Sequence, residues 1–311
     1  MANTITTDGP SPMTVVFSEA TDEQHRLQCY KLAVAAFGAP LSEQDYVERE
    51  EYLDQQPLTR HGGWRTWCLR TTTTTEPPGQ AVVSTCKTIQ RSLIVRDAGA
   101  VSREKGYCIA SMVTHPDFRG RGLASALLEH LGRWLDGPGE ALASMLYTSI
   151  GNENKDERHI SVLPTPDITA WKQDRGDFTA AKTFDRIPQH HGSICESADT
   201  WLYWYHDYRK KHLAVQRVYL GPQDDHPQLI QALAAILLDA VKDASNWNQR
   251  EVVVWDPSAA TLEAASILGK THGFWVDHGE RDGASMSSIR WHGADFSREI
   301  IVHNNEKFTY S

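Results

Sequence analysis

The sequence predicts a mixed α/β protein with a largely antiparallel sheet flanked by helices. Three observations point there. A short apolar run, 109–113, ends in a turn that carries two glycines and two arginines and then opens a helix; two β-type runs, 64–70 and 80–89, flank a Thr/Pro-rich linker; and strand-type and helix-type segments alternate through the second half of the chain.

Residues 15–17 are an apolar run of strand type. Residues 24–37 carry Leu27, Tyr30, Leu32, Val34 and Phe37 at helical spacing, and Gly38-Ala39-Pro40 stops that helix. A second helix runs from Ser42 to about Leu53, until His61-Gly62-Gly63 breaks the pattern. The runs 64–70 and 80–89 read as a hairpin joined by the low-complexity segment 71–79, with Pro77-Pro78 inside it. Then comes the strand 109–113, stopped by His115-Pro116-Asp117. Leu123, Ala124, Leu127, Leu128, Leu131 and Trp134 form the next helix, beginning near Gly122, and 142–150 is another apolar strand.

The start of that helix is the most informative place in the chain. The first N–H groups of a helix have no acceptor within it and sit at the positive end of its dipole, which favours a phosphate there. Gly120 and Gly122 leave the backbone open to approach, and Arg119 and Arg121 add positive charge at the rim. A diphosphate is the guest this predicts.

Composition bounds the rest. The 311 residues suffice for one large domain or two ordinary ones, and 40% are apolar, as in an ordinary soluble protein. No stretch reads as a membrane span. The polar start, residues 1–13, lacks the apolar core of a signal peptide, and a cytoplasmic setting is expected. A formal charge of −9 disfavours nucleic acid or an anionic membrane as partner. Cys29, Cys68, Cys86, Cys108 and Cys195 are scattered with no Cys-x-x-Cys pair, so reduced thiols and no structural zinc are expected. No histidine has metal-site spacing either, and no metal is assigned. His61-Gly62-Gly63-Trp64 is like an esterase oxyanion loop, but the chain has no Gly-x-Ser-x-Gly turn to supply a nucleophile.

Arg119-Gly120-Arg121-Gly122-Leu123-Ala124 resembles the Arg/Gln-x-x-Gly-x-Gly/Ala loop with which GCN5-related N-acetyltransferases (GNATs) hold the pyrophosphate of acyl-CoA. At finer grain the chain resembles the fungal lysine N-acetyltransferases. The matching segments are Tyr46-Val47-Glu48-Arg49-Glu50, the loop itself, Leu146-Tyr147-Thr148-Ser149-Ile150-Gly151, the aromatic run from Trp201 to Lys210, and Asn304-Asn305-Glu306-Lys307-Phe308. The resemblance implies a GNAT fold, acetyl-CoA as cosubstrate and a small amine as acceptor, with free lysine as the named substrate. It also implies that Met112, Val113 and Thr114 line the pantetheine arm, beside the cofactor-binding residues Arg119, Gly120, Arg121, Gly122, Leu123 and Ala124.

The family pattern breaks after Gly151. There the resemblance calls for a helix with Phe-Tyr-x-x-x-Gly-Trp, whose Tyr protonates the departing thiolate, but the chain reads Asn152-Glu153-Asn154-Lys155-Asp156-Glu157-Arg158. Two readings stay open: acetyl transfer with another proton source, or a fold turned to other chemistry in secondary metabolism or to CoA-binding regulation. Tyr147, on the strand beside the cradle strand, is the catalytic candidate; the alternative is a half-buried strand tyrosine. Tyr46, Glu50 and Glu51 are substrate-side candidates on the second helix, and for Glu50 and Glu51 the alternative is an ordinary solvated helix face.

The expected organisation is a disordered tail at 1–14, a GNAT domain at 15–151, a polar connection at 152–200 and a degenerate GNAT-like half at 201–311. Within that half, the aromatic run 201–213 is expected as an amphipathic helix or strand that seals one half against the other, or as a substrate wall that includes Trp204. A strand at 214–220, a helix at 227–245, a strand at 251–255, a helix at 258–271 and a strand at 287–291 follow. No cradle glycines precede the helix at 227–245, so this half is expected to shape a substrate pocket rather than to bind CoA.

Overall fold

The computed structural model describes residues 3–7, 13–71, 81–97, 100–148, 158–221, 226–279, 286–293 and 300–303. In chain order the elements are β1 (Asn3–Thr6), β2 (Thr14–Glu19), α1 (Glu23–Phe37), α2 (Glu43–Asp54), β3 (Trp64–Thr71), β4 (Val82–Asp97), β5 (Ala100–Thr114), α3 (Leu123–Asp136), β6 (Ala143–Thr148), β7 (Arg158–Val162), α4 (Pro166–Phe184), β8 (Gly192–Cys195), β9 (Thr200–Asp207), β10 (His212–Tyr219), α5 (His226–Asn246), β11 (Glu251–Val254), α6 (Ala259–His272), β12 (Met286–Trp291) and β13 (Ile300–His303). They divide into two compact units. The first holds Met1–Leu163 with Gly283–His303, the second Pro164–Asp282.

The first unit is built on a sheet ordered β1-β2-β3-β4-β5-β6-β12, with β7 on the far part of β4 and β13 beside β7. Its pairings are antiparallel except β5 with β6 and β7 with β13. The fold class is thus the mixed α/β, mostly antiparallel architecture that the sequence predicts. On one face Leu123, Leu127, Leu131 and Leu135 of α3, one turn apart, are buried against Val15, Phe17, Trp67, Leu69, Val83, Tyr107 and Ile109. Tyr30 and Ala33 of α1 and Tyr46 of α2 form a separate cluster against which Val113 packs. Side-chain caps start both of those helices: Asp22 accepts from His25 N–H at 2.8 Å and Ser42 from Asp45 N–H at 3.1 Å.

The β4–β5 ribbon is far longer than the runs 80–89 and 109–113 suggest. Its outer part alternates buried Leu93 and Val95 with charged Arg96, Arg103 and Glu104, so the apolar signal thins while ladder pairing continues to Asp97↔Ala100. Residues 3–6, expected within a disordered tail, pair with β2 as β1.

The second unit is a four-stranded sheet, β11-β10-β9-β8, covered by α5 and α6 through Leu202, Trp204, Leu213, Val215, Leu233, Leu237 and Leu268. The aromatic run 201–213 takes the strand form of its two expected alternatives: it is the hairpin of β9 and β10, with His206 and His212 on strands. One expectation is corrected here. The polar connection 152–200 contains β7, the nineteen-residue α4 and β8, because α4 buries only a narrow stripe, with Ile168, Trp171 and Ala180, beneath a charged surface. The strand expected at 287–291 is β12, and it completes the sheet of the first unit against β6. The linker residues 72–79, the break at 151–157 and the ending 304–308 lie outside the described residues. No helix among the described residues is long and apolar enough to cross a membrane.

Candidate active site

The cradle is formed where β5 leaves the sheet. β5 pairs with β6 in parallel only from Gly106↔Ala143 to Ile109↔Leu146, then runs on to Thr114. Beyond the parting its register against β4 slips, from Lys87↔Ala110 to Thr85↔Val113, so that Ser111 and Met112 stand opposite Cys86 alone. This is a β-bulge, with Ser111 at φ 51°. A bulge re-aims the backbone of one strand, and here the residues it re-aims are Met112, Val113 and Thr114. Nothing in the sequence run 109–113 signals it.

From Thr114 the chain passes through a short 3-10 turn, Pro116–Phe118, to Gly120 at φ 75° and Gly122 at φ 74°. Both are left-handed, which is cheap for glycine and costly for a branched residue. A Cβ built on Gly120 would meet nothing within 4 Å, so the loop is open on that side. Gly122 is the N-cap of α3 and supplies no side-chain acceptor for the first N–H groups of the helix. The Arg119 Nε–H group donates to Thr114 O at 3.4 Å and Arg121 leans on Phe118, its guanidinium carbon 5.4 Å from the ring centre. Cationic side chains therefore flank an uncapped helix N-terminus reached through two side-chain-free positions. Gly120, Gly122, Leu123 and Ala124 come together with Arg119 and Arg121 as the sequence predicts, and the arrangement fits a diphosphate.

The substrate-side candidates are placed differently. Tyr46 is 1% and Glu50 4% exposed, so the solvated-face reading of Glu50 is overturned. Glu50 Oε1 accepts from Arg49 Nη2–H at 2.8 Å, and its Oε2 accepts from the Lys87 ammonium. That ammonium lies 4.0 Å from the Trp64 ring centre and 4.8 Å from that of Tyr30, while Arg49 stands over Tyr46 at 4.7 Å. Glu50 is thus the anion of a buried ion cluster enclosed by aromatic faces. Sequence reasoning missed Lys87 and Arg49; a lysine inside the β-type run 80–89 was the available signal.

Trp204 is 1% exposed and packs in the core of the second unit, where its Nε1–H donates to Asp243 Oδ2 at 2.7 Å. A tryptophan closed in this way is core, and the substrate-wall reading of it is corrected. Tyr147 lies on β6 with its backbone paired to Ser287; its side chain lies outside the described residues.

A second cleft of the first unit, about 640 Å³, is polar. Arg26, Asp54, Arg60 and Trp64 line it, together with Glu19 and Arg65, which are paired at 2.9 Å. Burial pushes the Asp54 carboxyl above its usual range against the pull of Arg26 and Lys87.

Another constellation is legible only in three dimensions. His292, after β12, reaches Ser144 Oγ through Nε2 at 2.9 Å and Asp136 through Nδ1, and Arg290 donates to the same carboxylate at 2.7 Å. The order Ser–His–Asp is that of a nucleophile relay, but Ser144 is 4% exposed within the β6 ladder and is closed to a substrate. The group fastens β12 to the end of α3. Burial holds the His292 imidazole below its usual range, against the pull of Asp136.

Fold and loop together define a protein of the GNAT class. Residues 27–159 match the model of the acetyltransferase (GNAT) family. Residues 141–311, more than half of the chain, match the model described as the LYC1 GNAT-like C-terminal domain, and the chain belongs to that family. Among curated proteins, none matches. Solved structures with some likeness include a GCN5-related N-acetyltransferase of Kribbella flavida, 12% identical over 89% of this chain and 70% of that one, with a TM-score of 0.40. Two others are a GNAT-family acetyltransferase of Staphylococcus aureus (13%, 43% and 72%, TM-score 0.30) and a predicted acetyltransferase of Clostridium acetobutylicum with acetyl-CoA (12%, 45% and 82%, TM-score 0.31).

Proposed function

We propose that the protein is an acetyl-CoA-dependent N-acetyltransferase acting on a small amine, with the side-chain amine of free lysine as the leading substrate. One observation carries the reading: two left-handed glycines, Gly120 and Gly122, alternate with Arg119 and Arg121 and open the uncapped N-terminus of α3. Bound acetyl-CoA would supply the thioester from which an acetyl group passes to nitrogen. The chain's own part begins with the N–H groups of Gly120, Gly122, Leu123 and Ala124, which hold phosphate oxygens while the two arginines balance their charge. Met112, Val113 and Thr114, at and beyond the bulge, line the pantetheine arm and offer N–H groups near the carbonyl, where negative charge develops.

The acceptor is read as small and polar. The cleft that holds Asp54 with Arg26 and Arg60 offers a carboxylate for an ammonium and guanidinium groups for a carboxylate, the pairing a free amino acid needs. Glu50 acts at a distance from the amine, holding α2 to β4 through Lys87. Tyr147 is the proposed proton donor to the leaving thiolate, in place of the tyrosine that the segment after Gly151 lacks.

The experiment is a thiol-release screen with acetyl-CoA over lysine, polyamines and aromatic amines, run in parallel on Tyr147→Phe. Robust turnover with lysine, reduced ~100-fold in the variant with CoA affinity retained, is the expected result. Measurable CoA binding with no thiol release from any amine would instead favour a CoA-binding protein without acetyl transfer.

A further inference from the structure

The face of the first sheet that α1 covers holds two thiols with no part in the proposed acetyl transfer. On β3, Cys68 stands opposite Thr85 of β4. Neighbouring residues of a strand point to opposite faces, so the next register pair, Trp67 and Cys86, belongs to the core beneath α3 while Cys68 and Thr85 turn toward α1. Cys29, one of the buried residues of α1, meets both of them: its thiol donates a hydrogen bond to Cys68 and lies in hydrogen-bonding reach of Thr85. The two thiols share a small cluster with Ala20 and Val82, and they are 1% and 0% exposed. Of the other cysteines, Cys86 faces the α3 core, Cys108 lies on β5 and Cys195 belongs to the second unit.

The pair is unequal. The hydrogen bond from Cys29, the Ser18 hydroxyl at 3.7 Å and the charge of Arg70 hold the Cys68 thiol below its usual range, against its burial. The same hydrogen bond, together with burial, pushes the Cys29 thiol up. Cys68 is therefore the sulfur that gives up its proton, with a second thiol already in contact with it. The cluster also adjoins the polar cleft. Ala20 belongs to both, and the elements that carry the thiols line the cleft with Arg26, three residues before Cys29 on α1, and with Trp64, Arg65 and Thr66, just before Cys68 on β3. A small oxidant in the cleft meets the outer wall of the thiol cluster at Ala20.

We propose that Cys29 and Cys68 form a reversible disulfide when hydrogen peroxide reaches them, and that this bond is a redox switch on the cleft. The Cys68 sulfur attacks one peroxide oxygen and the O–O bond breaks; a sulfenic acid forms, and the other oxygen leaves as hydroxide and takes up the proton that Cys68 released. The Cys29 sulfur then displaces the hydroxyl from the sulfenic sulfur, the S–S bond forms, and water leaves with the Cys29 proton. Two thiols lose two electrons and two protons, and one peroxide becomes two waters. A dithiol reverses the bond by thiol–disulfide exchange. Replacing a contact between two sulfurs by a covalent bond ties α1 to β3 beside the cleft and fixes Arg26 relative to Trp64 and Thr66. The chemistry of the thiols does not depend on reading the cleft as the acceptor site.

The test exposes the reduced full chain to hydrogen peroxide, quenches with catalase, blocks the remaining thiols in denaturant and maps the peptides by mass spectrometry. A single disulfide between the Cys29 and Cys68 peptides, removed by dithiothreitol, is expected in the wild type and equally in Cys195→Ser. In Cys68→Ser, Cys29 should stay reduced; in Cys29→Ser, Cys68 should accumulate as a sulfenic acid that dimedone traps. Either variant decides the order of events if the other fails to fold, and the reverse pattern overturns it. Hydrogen exchange reads the consequence: the amides of α1 should exchange roughly tenfold more slowly in the oxidised chain than in the reduced one. Linkage of any other cysteines, oxidation of Cys195 alone, sulfinic acid at Cys68 without a disulfide, or unchanged exchange of α1 in the cross-linked chain each overturns the proposal. None of these readouts needs turnover, so a protein that releases no thiol from acetyl-CoA would lose the acetyl-transfer reading and keep this one.

Discussion

The two units use one backbone device and furnish it differently. In each, a bulged strand keeps a parallel neighbour for four residue pairs, then parts from it, and the bulge lies beside the parting. In the first unit the strand leads to left-handed glycines that alternate with arginines, and a buried ion cluster of Glu50, Arg49 and Lys87 lies between α2 and β4. In the second, the opening is narrow and lined by apolar and polar side chains alike, Val218 and Val254 beside Arg217 and Asp256, and the main core of that unit is aliphatic apart from Trp204. In both units parting strands make an opening, and the two openings differ in the side chains that line them.

The largest expected effect separates the units by what they bury. Glu50→Ala leaves the Arg49 and Lys87 charges buried at 4% exposure without their anion, and should cost roughly 3–5 kcal/mol in denaturant unfolding. Trp204→Phe in the second unit loses one hydrogen bond to Asp243 and a little volume, and should cost only about 1–3 kcal/mol. Equal costs would show that Glu50 holds α2 to β4 no more strongly than one buried hydrogen bond does in the second unit.

Next comes the cradle. Gly122→Val puts a branched residue at φ 74° and carbon where phosphate oxygens need the backbone, and calorimetry should show CoA affinity reduced ~100-fold. Gln216→Met, on the corresponding strand of the second unit, should leave CoA affinity unchanged. A Gly122→Val protein that binds CoA like the wild type would remove the basis for contrasting the two openings.

The smallest effect is one of pH. The folded state holds His292 below the unfolded value of about 6.5, so the unfolded chain takes up its proton first as pH falls. Stability from this group is present above pH ~6.5 and is lost as pH falls toward the depressed folded value. His292→Gln should flatten that part of the stability profile. A profile with the same slope in both proteins would mean that the imidazole is not held neutral by burial.

Local chemistry was legible because it is written in consecutive residues. Gly120 and Gly122 alternating with arginines, the helix starts at Ser42 and Ser258, and the leucine stripe of α3 each act within a turn or two of chain, so spacing alone exposes them. The bulges were not legible, since a bulge is a mismatch between two strands and exists only once they pair. The aromatic run 201–213 left two forms open for a related reason: its period reads as a strand or a helix until a partner strand fixes it.

By itself, the sequence determined the class of fold and the start of α3 behind two glycines and two arginines. Only the tertiary structure decided that Glu50 meets Lys87, that Trp204 is core, that β12 closes the first sheet, and that His292 joins Ser144 to Asp136. These pairs lie between 37 and 156 residues apart. Contacts at such separation are set by the packing of whole elements, and no local propensity encodes them.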